Sequence, residues 1–264
     1  MHNFNYQRPG SVDDAVQALS NASDGTLMGG GMTLLPTLKQ RLASPSDVID
    51  LGGVSGLSGI SEDGGAVVIG AMTTHAEVAS NATVNAKIPA LAVLAETIGD
   101  PQVRNRGTIG GSIANNDPAA DYPAALVGLG ATVRTNKREI AADDFFTGLF
   151  ETALGDDEII TAVSFPVPDK AGYAKFPNPA SRYAIVGVMA STGPAGTRVA
   201  VTGAGSCVFR AAEMEAALGG GFSADALSGA SVAADGLNSD IHASAEYRAN
   251  LVAVMARRAV AAAG

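Results

Sequence analysis

The chain has 264 residues, of which 47% are hydrophobic and 16% charged, with a net charge of −9 and one cysteine, Cys207. This excludes a disordered chain, argues against a nucleic-acid binder, which needs a basic face, and leaves too few thiols for a disulfide, an iron–sulfur cluster or a cysteine-based zinc site. The length suits two modest domains, and with aromatics at 5% and no tryptophan the cores must be built from Ala, Val, Ile and Leu. His2, His75 and His242 are too scattered for a metal spacing. There is no apolar run near the length of a membrane span and no signal-peptide pattern at Met1-His2-Asn3. A soluble, cytoplasmic protein is expected, with any metal chemistry on another chain.

In chain order, Ser11 and Asp14 give a capping-box-like start, followed by Val12, Val16 and Leu19 at helical spacing. Gly25 to Met28 reads as a strand ending in Gly29-Gly30-Gly31, and Thr33 to Leu42 as a helix with Leu34, Leu38 and Leu42 four apart. Pro36 fits the first turn of that helix. Val48 to Leu51 is a buried-strand candidate, which completes a βαβ unit. Ala66 to Gly70 reads as a strand, Thr73 or Thr74 as the cap of a short helix through Val78, and Ile88 to Ile98 as a helix. Pro123 to Leu129 reads as helix, Ala131 to Arg134 and Glu158 to Pro166 as strands, and Val167 to Gly172 as a linker. Beyond it, Tyr183 to Ala190 and Thr197 to Gly203 read as strands, and Arg210 to Leu218, Ala224 to Ala233 and Ala245 to Ala263 as alanine-rich helices.

Glycine carries the chemistry. The segments Gly29-Gly30-Gly31-Met32-Thr33 and Thr108-Ile109-Gly110-Gly111-Ser112 hold no charged residue. Each offers consecutive backbone N–H groups and hydroxyls, the make-up of a phosphate nest that needs no basic patch. The plainer alternative is a tight turn. Neither has P-loop or Rossmann spacing. Gly203-Ala204-Gly205 reads as a turn.

The run Gly29-Gly30-Gly31-Met32-Thr33-Leu34-Leu35-Pro36, followed by Arg104-Asn105-Arg106-Gly107-Thr108-Ile109-Gly110-Gly111-Ser112 and Asp117-Pro118-Ala119-Ala120-Asp121, strongly resembles one family. It is that of the FAD-binding medium subunits of molybdenum hydroxylases, including those of aerobic carbon monoxide dehydrogenase and xanthine dehydrogenase. Phe4 to Pro9, Ile69 to Thr74 and Ala245 to Arg248 are also similar, so the resemblance spans the chain. It implies an α+β fold: a vanillyl-alcohol-oxidase-type (PCMH-type) FAD domain over 1–170, with subdomains of about 1–55 and 56–170, then a domain over 171–264 with a three-stranded antiparallel sheet and helices.

By motif match, Gly29, Gly30, Gly31, Met32 and Thr33 with Thr108, Ile109, Gly110, Gly111 and Ser112 would hold the FAD pyrophosphate. Asp121 would accept from ribityl or ribose hydroxyls, and Tyr183 would stand beside the isoalloxazine. A Cβ at Gly30 or Gly110 is then expected to block FAD while sparing the fold. Two positions depart from the family: Met32, where a His or polar residue is frequent, and Arg182, where Asp is usual. A cation at Arg182 would raise the flavin potential. The resemblance implies no catalytic acid or base here. It implies a small subunit with two [2Fe–2S] clusters feeding FAD, a large subunit with molybdenum cofactor oxidising the substrate, and a dimer of heterotrimers. The substrate could be carbon monoxide, an aldehyde or an N-heterocycle. A self-contained flavin oxidase and a non-enzymatic nucleotide-binding module are the other readings.

Arg104 and Arg106 are candidates for pyrophosphate contacts or for scaffold pairs with Asp100 and Asp117, with scaffold favoured. His75 is expected in a surface or capping role, Cys207 as a small buried hydrophobe, and Tyr122, Tyr173, Phe145 and Phe146 in the core. Asp143-Asp144 and Asp156-Asp157 are expected in solvated turns.

Overall fold

The computed structural model describes residues 1–264. Its first part is β1 (Asn5–Gln7), α1 (Val12–Asn21), β2 (Gly25–Met28), α2 (Leu34–Lys39) and β3 (Asp47–Asp50). The three strands form a parallel sheet in the order β1-β3-β2. Ser11 caps α1 by accepting from the Asp14 N–H, and α1 packs Ala15 and Ala18 on Ile49 and Leu51. The second helix stops at Lys39, short of Leu42, because Arg41 takes a left-handed φ of 61°.

The second part contains β4 (Ile60–Asp63), β5 (Ala66–Gly70), α3 (His75–Ser80), α4 (Ala82–Lys87), α5 (Pro89–Glu96), α6 (Pro101–Arg104), α7 (Ile109–Asn115), α8 (Tyr122–Leu129), β6 (Thr132–Thr135), β7 (Glu139–Ala141), α9 (Ala142–Phe145), β8 (Phe146–Gly148), β9 (Glu151–Thr152) and β10 (Ile160–Pro166). Five strands form an antiparallel sheet in the order β4-β5-β10-β6-β7. Helix α8 is buried along its whole length. A helix apolar on all sides must lie between layers, and its residues join the main core together with Met189 and Ala200 of the following sheet. Gly128 permits that approach, since a Cβ there would stand 2.6 Å from Met189.

The third part contains β11 (Lys170–Pro177), β12 (Ala184–Thr192), β13 (Arg198–Thr202), β14 (Phe209–Arg210), α10 (Ala212–Leu218) and α11 (Ala245–Ala262). The strands form an antiparallel sheet in chain order, so a short fourth strand joins the three expected ones. One face meets α8, and the other meets α10 and α11 in a separate core. Two readings of this region are corrected. Lys170 to Gly172, read as linker, opens β11. Ala224 to Ala233 is helical only as a 3-10 turn over Ala224–Leu227, and Gly229 at φ 87° ends any continuation. Gly172 lies against α11, where a Cβ would overlap the Ala259 carbonyl. Arg248, within Ala245 to Arg248, is buried and donates to the Ile185 and Gly203 carbonyls at 2.6 and 2.9 Å while pairing with Asp240 at 2.7 Å.

Candidate functional site

A cleft of about 640 Å³ opens where the three parts meet, within the range of small-molecule sites. Gly29 to Thr33 form one wall, α7 and the turn before it another, and Ser181 to Tyr183 from the third part overhang the mouth.

The first glycine segment leaves β2 and enters α2. Gly31 adopts φ 74°, a conformation that favours glycine. None of the N–H groups of Gly29 to Thr33 donates to a protein acceptor. Thr33 is the α2 cap but makes no side-chain capping bond. A run of adjacent, unpaired donors facing a cleft is the arrangement that binds a phosphate or pyrophosphate. Met32 lines the cleft and is 36% exposed.

The second segment differs from expectation, because it is helix rather than loop. Thr108 caps α7 through its Oγ1, which accepts from the Gly111 N–H at 3.1 Å. Ile109 donates to the Thr73 carbonyl at 3.1 Å, Gly110 to the Ala71 carbonyl at 2.8 Å and Ser112 to the Thr108 carbonyl at 3.0 Å. The donors of Ile109, Gly110, Gly111 and Ser112 expected in a nest are therefore already used. Ile109 is fully buried and is not part of the cleft lining, which corrects its assignment. Thr108, Gly110, Gly111 and Ser112 do line the cleft. They offer hydroxyls and the open face of Gly111, where a Cβ would meet only Thr108 Oγ1 at 3.0 Å.

Two glycines expected to permit ligand approach instead permit chain packing. A Cβ at Gly30 would lie 1.7 Å from the Arg106 carbonyl oxygen, and one at Gly110 would lie 2.7 Å from both the Ala71 Cβ and its carbonyl oxygen. Larger residues at either position disturb the fold itself, which overturns the expectation that the fold is spared. These contacts press the two glycine segments together.

Asp121 lines the cleft, but its carboxylate accepts from the Tyr173 hydroxyl and pairs with Lys175 Nζ at 3.0 Å. Lys175 also donates to the Thr97 carbonyl at 2.9 Å. Burial pushes the Asp121 carboxyl up, and Lys175 and Tyr173 act against it. The expected role as acceptor from cofactor hydroxyls meets oxygens already engaged with β11. The neighbouring turn binds the same sheet: the Pro118 carbonyl accepts from the Gly203 N–H at 2.8 Å, and the Ala120 carbonyl from the Thr202 hydroxyl at 2.6 Å. Asp117 to Asp121 is thus one tie between the second and third parts.

Tyr183 is 45% exposed at the cleft edge, where burial of the rest of its ring, then Asp117 and Asp121, raise its hydroxyl pKa. Before it, Arg182 holds a left-handed φ of 64° and donates to the Gly99 carbonyl at 3.2 Å across the mouth. Arg104 donates to the Ile98 and Gly99 carbonyls, each at 3.2 Å, and pairs with Glu96, so it is scaffold, though not with Asp100 or Asp117.

His75 departs most from expectation. It is 4% exposed, lines the cleft and packs on Tyr122 with ring centroids 5.3 Å apart. Burial, then Arg104, brings its pKa down to about 4, so it is uncharged at neutral pH. Glu158, another buried lining residue, is held down at about 2, chiefly by hydrogen bonds from Arg138. Asp143 is not a free turn carboxylate, since it clamps Arg198 through two bonds of 2.9 and 2.8 Å. Cys207 is half-buried, 3.7 Å from Asn116 Nδ2.

Comparison with known proteins gives one family. Residues 2–168 match the family described as the FAD binding domain in molybdopterin dehydrogenase. The chain is 40% identical over 273 residues to the nicotine 6-hydroxylase medium subunit of Paenarthrobacter nicotinovorans, covering 98% of this chain and 96% of that one. It is 37% identical over 274 residues to the carbon monoxide dehydrogenase medium chain of Afipia carboxidovorans, covering 97% and 95%. In three dimensions it superposes on a chain of carbon monoxide dehydrogenase from Hydrogenophaga pseudoflava with a TM-score of 0.90 at 36% identity, covering 99% and 97%.

Proposed function

This chain belongs to the family of FAD-binding domains of molybdopterin dehydrogenases, and from that membership we propose that the cleft holds FAD through the N–H groups of Gly29 to Thr33. The protein is the flavoprotein subunit of a molybdenum-hydroxylase oxidoreductase, like the medium chain of carbon monoxide dehydrogenase. It carries electrons from the [2Fe–2S] clusters of a partner through FAD to an external acceptor. The observation that carries the site assignment is that run of unpaired donors beside an open cleft.

FAD, when bound, supplies the capacity to accept electrons singly and release them in pairs. The chain's own residues bind and orient it. Backbone donors at 29–33 hold the pyrophosphate without a basic side chain, which suits a protein of net charge −9. The hydroxyls of Thr108 and Ser112 and the open face of Gly111 form the opposite side. Tyr183, at the cleft edge, would stand beside the ring system, and Arg182 next to it would add a cation there. Asp121 fixes the third part, and with it Tyr183, and its remaining lone pairs would be what it offers to the cofactor's hydroxyls. No residue of this chain acts as acid or base on the substrate.

The partners are a small iron–sulfur subunit and a large molybdenum subunit, in a dimer of heterotrimers. The single cysteine supports placing the clusters elsewhere. Relatives named for carbon monoxide and for nicotine share this chain's length and family, which supports placing substrate choice on the large subunit. The fold is of the PCMH type with a C-terminal flavoprotein domain: 1–170, in subdomains of about 1–55 and 56–170, and 171–264. Three apolar clusters centred in the three parts support that division, with Tyr173, Met189 and Ala200 of the last part and Leu57 and Ile159 of the second packing across its bounds. No helix is long and apolar enough to cross a membrane, and a cytoplasmic complex is the proposed location. The test is anaerobic reduction of bound flavin. Substrate should bleach it only when both partner subunits are present. Steady turnover by the isolated chain would contradict the assignment.

A further inference from the structure

His75 stands at the junction of the core and the cleft. Thr74 caps α3 in a reciprocal box with Glu77: Thr74 Oγ1 accepts from the Glu77 N–H at 3.2 Å, and Glu77 Oε2 from the Thr74 N–H at 2.8 Å. This fixes the first residue of the helix, His75. Its N–H donates to the Gly107 carbonyl at 3.0 Å, and Thr74 forms a bridge with Thr108.

The imidazole fills the space between Tyr122 and Gly107. A Cβ at Gly107 would stand 2.5 Å from His75 Nε2, so glycine is required where the ring lies over the chain. Gly107 also meets Gly30, whose Cβ position is 2.9 Å from the Gly107 Cα. Tyr122, His75, Gly107 and Gly30 therefore stack from the core out to the unpaired N–H groups of Gly29 to Thr33. Nδ1 of His75 and the Tyr122 hydroxyl are both buried without a hydrogen-bond partner. Packing, not hydrogen bonding, holds the ring.

We propose that His75 is a positioning residue of the cofactor cleft, a wedge whose ring volume presses the Arg106–Thr108 segment onto Gly30 and so fixes the distance between the two glycine segments. This rests on the reading of the cleft as an FAD site. Its uncharged state at neutral pH suits a wedge between apolar surfaces, and Arg104 is the charged group whose field it feels. Removing the ring lets the segment sink toward Tyr122, and displacements near 1 Å are enough to change function severely.

The test uses the full chain, FAD titration followed by flavin fluorescence, and thermal melting of the apoprotein. The wild type is titrated first, because failure to bind FAD would reject the cleft assignment itself, separately from the role of His75. His75→Ala is expected to raise the Kd for FAD about tenfold or more, whereas His75→Phe, which keeps a ring, should stay within about threefold. Val84→Ala, a truncation in the same core but outside the cleft lining, should lower Tm without weakening FAD. Wild-type affinity in His75→Ala, or equal weakening in Val84→Ala at matched Tm loss, would overturn the proposal. If His75→Ala fails to fold, His75→Val, which keeps part of the volume but no ring, decides: its Kd for FAD should lie clearly above that of His75→Phe, and equal Kd values in the two would overturn the wedge.

Discussion

Gly30→Ala and Gly111→Ala place the same methyl group on the two walls of one cleft, with opposite expected consequences. At Gly30 the new Cβ would lie 1.7 Å from the Arg106 carbonyl oxygen and 2.5 Å from its carbon. A carbon–oxygen contact needs about 3.2 Å or more, so the Arg106–Gly107 peptide must retreat by roughly 1.5 Å. That peptide is held by the Gly107 N–H donating to the Val103 carbonyl at 2.7 Å, and the next peptide by its Gly107 carbonyl accepting from the His75 N–H at 3.0 Å. Overpacking costs about 1–3 kcal/mol, and loss of one or two such hydrogen bonds adds about 1 kcal/mol each. The sum, about 2–5 kcal/mol, corresponds to a Tm drop of roughly 10 °C in a chain of this size. FAD affinity falls with it.

At Gly111 the Cβ meets only Thr108 Oγ1, and alanine is a better helix residue than glycine by about 1 kcal/mol. Tm should hold or rise, while the methyl enters the cleft and weakens FAD about tenfold or more. Melting curves of the apoproteins beside FAD titrations separate the two. A Gly30→Ala protein with wild-type Tm, or a Gly111→Ala protein with wild-type FAD affinity, would refute the reasoning.

Three further outcomes are expected. Arg182→Asp removes a cation at the cleft edge and should lower the flavin midpoint potential by roughly tens of millivolts; spectroelectrochemistry on the reconstituted chain checks this, and an unchanged potential counts against it. Lys175→Met strands the buried Asp121 carboxylate and should cost about 3–5 kcal/mol in urea unfolding at pH 7, with partial recovery in the double variant with Asp121→Asn; a loss under about 1 kcal/mol would show the pair is not a tie. Glu158 has its folded pKa depressed from 4.5 to about 2, so its stabilisation is full above the unfolded value and is lost as pH falls toward 2. Glu158→Gln should be less stable at neutral pH and flatter in that acid window, which melts from pH 5 to 2 measure, and parallel curves would contradict the assignment.

What the sequence discloses is mostly local. The glycine run after Gly25 to Met28, with Leu34 and Leu38 behind it, marks β2, the turn, α2 and β3, because a strand, a sharp exit and a helical stripe each leave their own pattern. The long terminal helix is legible for the same reason. In the second segment, glycines at 110 and 111 mask a helix that Thr108 as cap and Ile109 and Ile113 four apart do signal. Strand β11 begins immediately after Pro168-Asp169, so turn chemistry conceals its first residues. The alanine content over 224–233 suggests helix, but intrinsic propensity does not carry a helix past Gly229, whose left-handed φ breaks it.

Tertiary facts leave no local trace. The partners of Asp121 lie more than 50 residues away, and the burial of His75 depends on Tyr122 in a different helix. Family resemblance points to Asp121, which does line the cleft, but not to its ties with Tyr173 and Lys175, and the reading of His75 as a surface or capping residue, made from its place after two threonines, misses its burial. A motif records which residues recur, not whether their oxygens and nitrogens face a ligand or one another.

The central claim is most directly tested by equilibrium titration of the purified full-length chain with FAD, followed by its visible absorption. Binding of one FAD per chain, abolished by excess pyrophosphate-containing competitor, is the predicted result. A chain that stays colourless after repeated reconstitution, while folded by circular dichroism, would contradict it.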